Sequence, residues 1–419
     1  MDNEMQTESC DVLVIGGGPG GSTASTLLAR KGWRVIMLEK VSHPRFHIGE
    51  SLLPMNMPIL RDLGVFDAVA EIGVVKHGAD FADSQDKPGE FTSYYFRTAL
   101  GCQSPHAFQV KREEFDELLF RHAAANGVDA RERVTVEDVT WNAEGRAIVE
   151  AKSDEHGPCR FEARYVVDAS GRDTFFGAKW KLKEKNPQHQ SAAIYAHFRG
   201  IDRREGEDAG NIGIYWLPQG WGWVIPLRNG ITSVGCVCWP EYLKQRRGMP
   251  NDQFLMQTLQ QAPAIWGRME KAEMASEVYI AGNYSYACKQ MAGKGWIMVG
   301  DAYSFLDPVF SSGVYLAMSS ARRAVAVVDG ALRKPSRERA LQREYARETR
   351  RGLKKFSWFI YRFTTPVIRE LFSRPHNTFQ IQQAVTSMLA GDVYSNRPAD
   401  RRLVLFKLIC RIPGIAKAA

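Results

Sequence analysis

A glycine-rich turn between two apolar runs constrains what this chain can fold into more than any other stretch. The run Val12–Ile15 has the length and the β-branched content of a buried parallel strand. Gly16, Gly18 and Gly21 follow it in GxGxxG spacing, and the residues after them carry apolar side chains on one helical face. A second apolar run, Val35–Leu38, closes the unit. The pattern predicts a strand, a tight turn, a helix and a second strand.

Glu39 stands at the end of the second predicted strand, at the distance from the glycines that a dinucleotide-binding fingerprint requires. Glycines let a backbone approach a pyrophosphate, and a helix N-terminus offers free N–H groups and the positive end of a dipole. A carboxylate in this position accepts hydrogen bonds from ribose hydroxyls, and an acid in place of an arginine favours FAD or NAD over NADP. A plain glycine turn is the simpler interpretation, but it would need neither the flanking strands nor the acid.

The composition is that of an ordinary globular protein with room for two or three domains, since 44% of its 419 residues are hydrophobic and 24% are charged. The first ten residues carry acids where a signal peptide needs a basic region, and no apolar run approaches the length of a transmembrane helix. The seven cysteines are scattered without a C-x-x-C pair, so neither a disulfide framework nor a metal site is indicated. We therefore expect a cytoplasmic protein with reduced thiols.

Much of the net charge of +8 lies in one segment, Arg322–Lys355. A solvated helical face is the simplest interpretation of this segment. The alternatives are docking of an acidic protein and contact with an anionic membrane surface. Nucleic acid is not expected as a partner, because no recognised binding module accompanies the charge.

The segment Pro44–Pro54 contains four further candidates for cofactor binding. They are Arg45, Gly49, Glu50 and Ser51. An apolar helical pattern follows Ser51, so we expect its hydroxyl to cap that helix beside the cofactor.

Three later segments extend the candidate site. Lys76 precedes strand-like alternation, and from its surroundings alone it is a lysine near a turn. Arg112 begins a predicted helix, where its guanidinium is expected to pair with a phosphate or with the ribityl oxygens. Tyr165–Asp168 is another apolar run that ends at a glycine turn, and such strand ends bind ligands in doubly wound sheets.

From Ser191 to Trp239 the pattern changes to short aromatic strands separated by turn residues. Such a series is typical of an antiparallel sheet, which we expect to form the wall of a substrate chamber. The chain after Ser319 is helical in pattern and is interrupted by prolines.

Four motifs together resemble the flavin-dependent halogenases, a family with the FAD-binding fold of the aromatic-hydroxylase type. Trp221–Pro226 matches the WxWxIP signature of that family in every fixed position. The GESLLP motif with Lys76 and the loop Asp307–Gly313 match it as well, whereas the glycine fingerprint, the Arg112 segment, DASGR and Gly300-Asp301 resemble the wider FAD fold of the aromatic-hydroxylase type. The segment Leu389–Ser395 is similar to the branch that halogenates pyrroles and other carrier-bound aromatic rings.

The resemblance implies an α/β fold class with three parts. A Rossmann-like FAD-binding domain is expected at 1–185 and 276–330, and an antiparallel-sheet substrate domain at 186–275 with a contribution from 76–104. A helical C-terminal block is expected at 331–419.

The resemblance also implies a reaction in which reduced FAD, O2 and chloride or bromide give hypohalous acid. The catalytic candidates are Lys76, which would present the halogen to the substrate, and Trp221 and Trp223, which would keep the substrate away from the flavin. The halide would lie at the backbone N–H groups of Ser312 and Gly313. Asp301 and Gly313 are counted among the cofactor-binding residues.

Phe310 departs from the tryptophan halogenases, which carry a glutamate at this place. A phenyl ring cannot remove a proton or orient hypohalous acid, so an electron-rich pyrrole or phenol is a better substrate than free tryptophan. The resemblance implies two partners, a separate flavin reductase and a carrier protein bearing the aromatic acyl group. Two other functions stay open: an FAD monooxygenase or dehydrogenase without halide use, and a flavin-binding protein without turnover.

Overall fold

The computed structural model describes residues 7–87, 89–375 and 377–410, except the side chains of Gln188, Asn283 and Tyr284. Its strands are β1 (Thr7–Ile15), β2 (Val35–Leu38), β3 (Val74–Lys76), β4 (Gly78–Asp83), β5 (Thr92–Tyr95), β6 (Ala107–Gln109), β7 (Asp129–Arg131), β8 (Val134–Trp141), β9 (Ala147–Ser153), β10 (Gly157–Asp168), β11 (Lys183–Arg199), β12 (Ile212–Leu217), β13 (Gly220–Pro226), β14 (Thr232–Cys238), β15 (Glu273–Met274), β16 (Tyr279–Cys288), β17 (Ala292–Gly293), β18 (Trp296–Met298) and β19 (Ser304–Phe305).

Its helices are α1 (Pro19–Ala29), α2 (Asn56–Leu63), α3 (Phe66–Ile72), α4 (Arg112–Ala125), α5 (Phe175–Lys179), α6 (Pro240–Leu243), α7 (Asn251–Gln260), α8 (Pro263–Trp266), α9 (Gly313–Arg333), α10 (Glu338–Ile360), α11 (Pro366–Ser373), α12 (Ile381–Leu389) and α13 (Arg397–Ile409). None of the described helices has both the length and the apolar character that a membrane crossing needs.

The first sheet is built on parallel strands in the order β18-β10-β1-β2-β7, with β17 at the β18 edge and the β8-β9 hairpin attached to β10. Ile15 pairs with Leu38 on one side and with Asp168 on the other, and Asp168 pairs with Met298. This register puts the carboxyl ends of four strands in one row, so the loops that follow them meet at one edge. The predicted strand, turn, helix and strand around the glycines are confirmed.

The second sheet has the order β19-β16-β11-β14-β13-β12-β4-β5, with β15 beside β11. The antiparallel series expected between Ser191 and Trp239 is confirmed by the pairings of β11 with β14, β14 with β13, and β13 with β12. The strand β12 pairs parallel with β4, so the sheet is mixed at this point. The strand β11 runs across residue 185, where the sequence predicts a domain boundary, and the division into domains stays a prediction.

The C-terminal helices cover one face of the second sheet with aromatic side chains. The ring of Phe363 stacks on Trp216 at 5.1 Å between centroids, and Phe372 packs edge-on against Phe81 at 5.1 Å. The buried indole N–H of Trp216 donates to the Phe363 carbonyl over 3.0 Å. Because each large side chain contributes about 1.5–3 kcal/mol when fully buried, this cluster holds the helices on the sheet. The helices α7 and α8 pack on the opposite face.

Candidate active site

A cavity of about 840 Å³ lies between the two sheets, at the carboxyl ends of the parallel strands. Most of the residues singled out from the sequence line it: Gly16, Gly18, Glu39, Arg45, Gly49, Glu50, Ser51, Arg112, Trp221, Trp223, Asp301 and Gly313. Gly21, Lys76 and Ser312 are not among its lining residues. The cavity is thus formed by segments from the whole first three quarters of the chain.

The three fingerprint glycines meet different constraints. Gly16 has a φ of +99°, and a Cβ there would lie 2.5 Å from the Ala169 carbonyl oxygen. A Cβ on Gly21 would lie 1.8 Å from the Gly16 carbonyl oxygen, so this glycine lets α1 pack directly on the turn. A Cβ on Gly18 would meet only the Arg45 guanidinium, at 3.5 Å. Packing therefore requires Gly16 and Gly21, whereas Gly18 keeps the cavity open before the N-terminus of α1.

The Glu39 carboxylate is fixed at the end of β2 by two backbone donors. Its Oε2 accepts from the Gly17 N–H over 2.8 Å, and its Oε1 accepts from the Val41 N–H over 3.2 Å. The Arg45 guanidinium lies 3.6 Å from Oε2. The carboxylate is therefore oriented before any ligand binds.

Arg112 is held within the protein at the start of α4. Its Nε and Nη2 donate to the two carboxylate oxygens of Asp116 over 2.7 and 2.8 Å, and its Nη1 donates to the Ile48 carbonyl over 2.9 Å. The guanidinium therefore fastens the segment before Gly49 to α4, and its expected contact with a cofactor stays a prediction.

Lys76 is buried, with 1% of its surface exposed. Its Nζ donates to Ser51 Oγ over 2.9 Å and to the Leu52 carbonyl over 3.1 Å, and it lies 5.3 Å from the centre of the Phe96 ring. Burial lowers the pKa of Lys76 to about 7, although the Asp80 carboxylate acts in the opposite direction. The interpretation of Lys76 as an exposed turn lysine is therefore wrong.

Ser51 does not cap a helix, and this prediction was also wrong. The helix α2 begins at Asn56, and Ser51 forms a β-bridge with Gln109. Because Ser51 lines the cavity and its hydroxyl accepts from Lys76, it connects the buried amine with the cavity wall.

Trp221 and Trp223 project from the same face of β13, and their rings lie 5.7 Å apart. Both side chains are buried except where they line the cavity. The Trp223 indole N–H donates to Ser233 Oγ over 3.1 Å. The indole N–H of Trp221 is buried and has no hydrogen-bond partner among the described residues.

The comparisons with known proteins agree with this site. A family model described as an FAD binding domain matches residues 9–355. The chain is 31% identical to a 1H-pyrrole-2-carbonyl-(peptidyl-carrier protein) chlorinase of Pseudomonas fluorescens, over 94% of this chain and 91% of that protein. The chain belongs to the flavin-dependent halogenases. It is therefore an FAD-dependent enzyme.

Two solved structures share the fold of this halogenase over nearly the whole chain. The flavin-dependent brominase Bmp2 is 26% identical, with a TM-score of 0.82, and the match covers 96% of this chain and 99% of that one. A flavoprotein/dehydrogenase from Cytophaga hutchinsonii is 28% identical, with a TM-score of 0.86, and the match covers 96% and 98% of the two chains.

The residues around the cavity fit FAD. The turn at Gly16 and Gly18 leaves space before the first N–H groups of α1, which suits a pyrophosphate. Glu50 Oε2 and Arg45 Nε are buried polar atoms without a partner among the described residues. Burial raises the pKa of the Asp301 carboxyl to about 6, against the influence of Arg172 and Arg112, and this group is an acceptor for a sugar-like hydroxyl.

Three contributors to the site were not singled out from the sequence. His47 lines the cavity, and burial lowers its pKa to about 4, so its imidazole is neutral at physiological pH. Arg172 lines the cavity next to Asp301, and the DASGR turn was the signal for it. His197 pairs with Glu50 from the second sheet over 2.7 Å, and no local pattern marks this histidine.

The loop before α9 contains the expected halide position. Asp307 caps a short turn by accepting from the Val309 N–H over 3.1 Å, and Ser311 has a φ of +56°. The 21-residue helix α9 begins at Gly313, with Ser312 at the N-cap. Gly313 lines the cavity, whereas the Ser312 side chain is buried away from it.

Phe310 lies in the aromatic cluster of the C-terminal helices. Its ring is 5.4 Å from Phe363 and 6.2 Å from Phe372. The place where tryptophan halogenases carry an acid is therefore filled by side-chain packing in this halogenase.

Proposed function

We propose that the halogenase makes hypohalous acid from O2 and chloride or bromide, and that Lys76 delivers the halogen to an electron-rich pyrrole or phenol. The observation that carries this proposal is the position of Lys76. Its amine is buried, is held by a serine of the cavity wall, and has a pKa of about 7. When bound, reduced FAD supplies two of the electrons that reduce O2.

Several residues would hold FAD. Gly16, Gly18 and Gly21 would shape the turn at the pyrophosphate, Glu39 would accept from the adenosine ribose, and Asp301 and Arg112 would face the ribityl chain. Arg45, Gly49, Glu50 and Ser51 would form the covering segment. The support is that all of these except Gly21 line one cavity.

The halide would bind at the backbone N–H groups of Ser312 and Gly313. A helix N-terminus favours an anion, and a Cβ at Gly313 would find no atom within 4 Å, so an ion has room there. Trp221 and Trp223 would keep the ring of the substrate apart from the flavin.

A lysine with a pKa near 7 exists in two forms at physiological pH. The neutral amine can attack the electrophilic halogen, and the ammonium can donate hydrogen bonds to the oxygen of hypohalous acid. Ser51 Oγ accepts from either form, so it would hold Nζ at the cavity side of the strand. We assign to Ser51 the positioning of this lysine.

The substrate ring would be carried as an acyl group on an acidic carrier protein. The name of the Pseudomonas fluorescens relative states a pyrrolyl group on a peptidyl carrier protein. The absence of an acid at Phe310 agrees with a ring whose own heteroatom stabilises the cationic intermediate. The exposed cations of α10 would attract the carrier, and contact with a membrane surface is the less favoured partner for them.

A separate reductase would supply reduced FAD in the cytoplasm. The sequence has one dinucleotide fingerprint, Gly16–Gly21, and no second such unit for a nicotinamide nucleotide. NADH oxidation by the purified halogenase alone, with product formed, would refute this part of the proposal.

The alternative is an FAD-dependent monooxygenase or dehydrogenase that has kept the fold and does not use halide. The specific observation in its favour is the TM-score of 0.86 with a protein described as a flavoprotein/dehydrogenase.

One experiment separates the two functions. Reduced FAD, O2 and each halide are supplied with a pyrrolyl or phenolic thioester on a carrier protein, and the product mass is measured. The halogenase function predicts the mass shift of the added halide. A hydroxylated product, or one whose mass is independent of the halide, would favour the alternative.

A further inference from the structure

Glu50 and His197 form a buried pair to which the function proposed above gives no chemical step. Glu50 Oε1 and His197 Nε2 lie 2.7 Å apart, although the two residues are 147 positions apart in the chain. The Glu50 side chain is 1% exposed and the His197 side chain 14%. Glu50 lines the cavity, and its second oxygen, Oε2, is buried and has no hydrogen-bond partner in the part of the chain that the structure describes. A buried carboxylate oxygen without a partner is costly, which makes it a candidate for function.

The residues around the pair include aromatic side chains that are partly exposed. The His197 ring packs edge-on against Phe46 at 5.8 Å, and Phe46 stacks on Tyr279 at 4.1 Å. Phe46 and Tyr279 are both partly exposed, and the next residue, Ile280, is 47% exposed. The other ionisable groups near Glu50 are Arg112 on α4 and Tyr195 on β11. The imidazole, which is 14% exposed, is therefore nearer to solvent than the Glu50 carboxylate is.

Halide oxidation needs a proton that simple oxidation of the flavin does not. One FADH2, one O2, one halide ion and one proton give FAD, HOX and one water. The flavin and the halide each lose two electrons, and O2 gains four. Without halide, FADH2 and O2 give FAD and H2O2 with no added proton. Each productive turnover must therefore bring one more proton from solvent into the cavity.

We propose that Glu50 donates this proton inside the cavity and that His197 resupplies it from solvent. The carboxyl O–H of Glu50 breaks as its proton moves to the oxygen that becomes water. The His197 Nε2–H then gives its proton to the carboxylate, and the imidazole takes the next one from solvent. This inference rests on the proposed function and extends it, because it assigns the proton supply to two residues that have no such role in the proposal above.

The test compares wild type with Glu50→Gln and His197→Gln. Glutamine at 50 keeps the shape and can pair with His197 but carries no acidic proton, and glutamine at 197 can donate to Glu50 but does not titrate. Reduced holoenzyme is mixed with O2, with and without bromide, and the yields of halogenated product and of H2O2 per O2 are measured. The FAD dissociation constant and the thermal midpoint of the protein without FAD are measured for each variant.

We expect Glu50→Gln to lower the halogenated product about 100-fold and to release H2O2 in its place, since general acids contribute about 10²–10⁴-fold. His197→Gln should lower the product about 10-fold, and added imidazole should restore it in His197→Gly. The yields are compared at saturating FAD, because Glu50 is one of the residues proposed to hold the cofactor. The thermal midpoint of Glu50→Gln without FAD should stay or rise, because the change removes a buried carboxylate oxygen that has no partner among the described residues.

Two results would overturn the proposal that Glu50 and His197 supply the proton. One is a product-to-peroxide ratio in Glu50→Gln within twofold of wild type. The other is a loss of halogenated product with no H2O2 released in its place, together with a lower thermal midpoint of the protein without FAD, which would mean that the pair is structural. A wild-type protein that gives no halogenated product with any halide would instead refute the proposed function itself.

Discussion

Lys76 Nζ donates a hydrogen bond to Ser51 Oγ over 2.9 Å, and this bond joins a fully buried amine to the wall of the flavin cavity. The two residues come from different elements, the strand β3 and the segment after Gly49. The proposed halogen transfer by Lys76 would depend on this bond, because Lys76 itself is not among the residues that line the cavity. The Leu52 carbonyl accepts a second hydrogen bond from the same amine over 3.1 Å.

Replacing Lys76 should separate flavin chemistry from halogen transfer. We expect Lys76→Met to lose at least 100-fold in halogenated product while it binds FAD and consumes O2 at rates near wild type. Lys76→Arg is the matched control, because it keeps a positive charge that cannot be removed at working pH. Product mass, O2 uptake and H2O2 release are measured together. Halogenation by Lys76→Met at a rate near wild type would remove Lys76 from the mechanism.

Removing the Ser51 hydroxyl should shift the pH profile of the halogenation rate. A hydrogen bond to the ammonium favours the charged form, so Ser51→Ala is expected to lower the pKa of Lys76 further. The Lys76-dependent limb of the profile should move to lower pH by about 0.5–1 unit, as expected for one such bond. Ser51→Thr, which keeps the hydroxyl, should leave it in place.

The side of the profile that moves identifies the active form of Lys76. A shift of the acidic limb means that the neutral amine acts, and a shift of the basic limb means that the ammonium acts. A profile that is unchanged in Ser51→Ala would show that this contact does not control the reaction.

The buried lysine should also make stability depend on pH in the protein without FAD. The folded chain releases the Lys76 proton near pH 7, whereas the unfolded chain keeps it up to about pH 10.5. The unfolded state holds more protons between these values, so the free energy of unfolding should rise with pH by up to about 1.4 kcal/mol per unit.

Lys76→Met isolates this contribution, since the other titrating groups are common to both proteins. Urea unfolding of wild type and variant is followed from pH 6 to 10. The variant should be the more stable near pH 6, and the difference should shrink as the pH rises. If the free energies of unfolding of wild type and Lys76→Met change in parallel from pH 6 to 10, the lowered pKa of Lys76 is contradicted.

Two fingerprint glycines should respond differently to alanine. In Gly21→Ala the new Cβ meets the Gly16 carbonyl at 1.8 Å, so both the thermal midpoint and FAD binding should fall. In Gly18→Ala the new Cβ meets only the end of the Arg45 side chain, so the midpoint should stay within about 2 °C while FAD binding weakens about 10-fold or more. Equal losses of stability in both variants would mean that the turn has been misassigned.

Charge reversal on α10 should weaken the use of a carrier-bound substrate. Arg339, Arg343 and Arg347 lie on the exposed face of this helix, as predicted from their spacing. Replacing all three by glutamate should raise KM for a carrier-bound ring about 3–10-fold at low salt, with little effect at high salt. The same ring as a small thioester should be unaffected.

The course of α10 allows a sharper comparison. Its start contacts Gly295 at the amino end of β18 through Glu338, and Tyr345 reaches the Met298 carbonyl farther along. The cations Arg350 and Lys354 therefore lie nearer the second sheet, and reversal of these two should have the larger effect. A triple reversal at Lys152, Arg160 and Arg228 is a control with a similar change in net charge. If the variants of α10 and the control variant raise KM for the carrier-bound ring equally, the carrier protein docks elsewhere.

The βαβ unit and the antiparallel strands could be predicted from the sequence because local patterns specify them. The alternation or continuity of apolar residues sets the strands, and the spacing of Gly16, Gly18 and Gly21 sets the turn between β1 and α1. The position of Glu39 followed from the same unit. These features depend on residues that are close in the chain, and the structure reproduces them.

The contacts that give the site its chemistry were decided by the tertiary structure. Lys76 and Ser51 are 25 positions apart, and Glu50 and His197 are 147 apart. No periodicity relates such residues, because packing between β3, β11 and the covering segment brings them together. The same packing removes water from Lys76, which lowers its pKa, and it fills the space at Phe310 with the rings of Phe363 and Phe372. The sequence alone determined the cofactor fold and the family, and burial between distant segments determined the charge state and the hydrogen-bond partners of the residues within it.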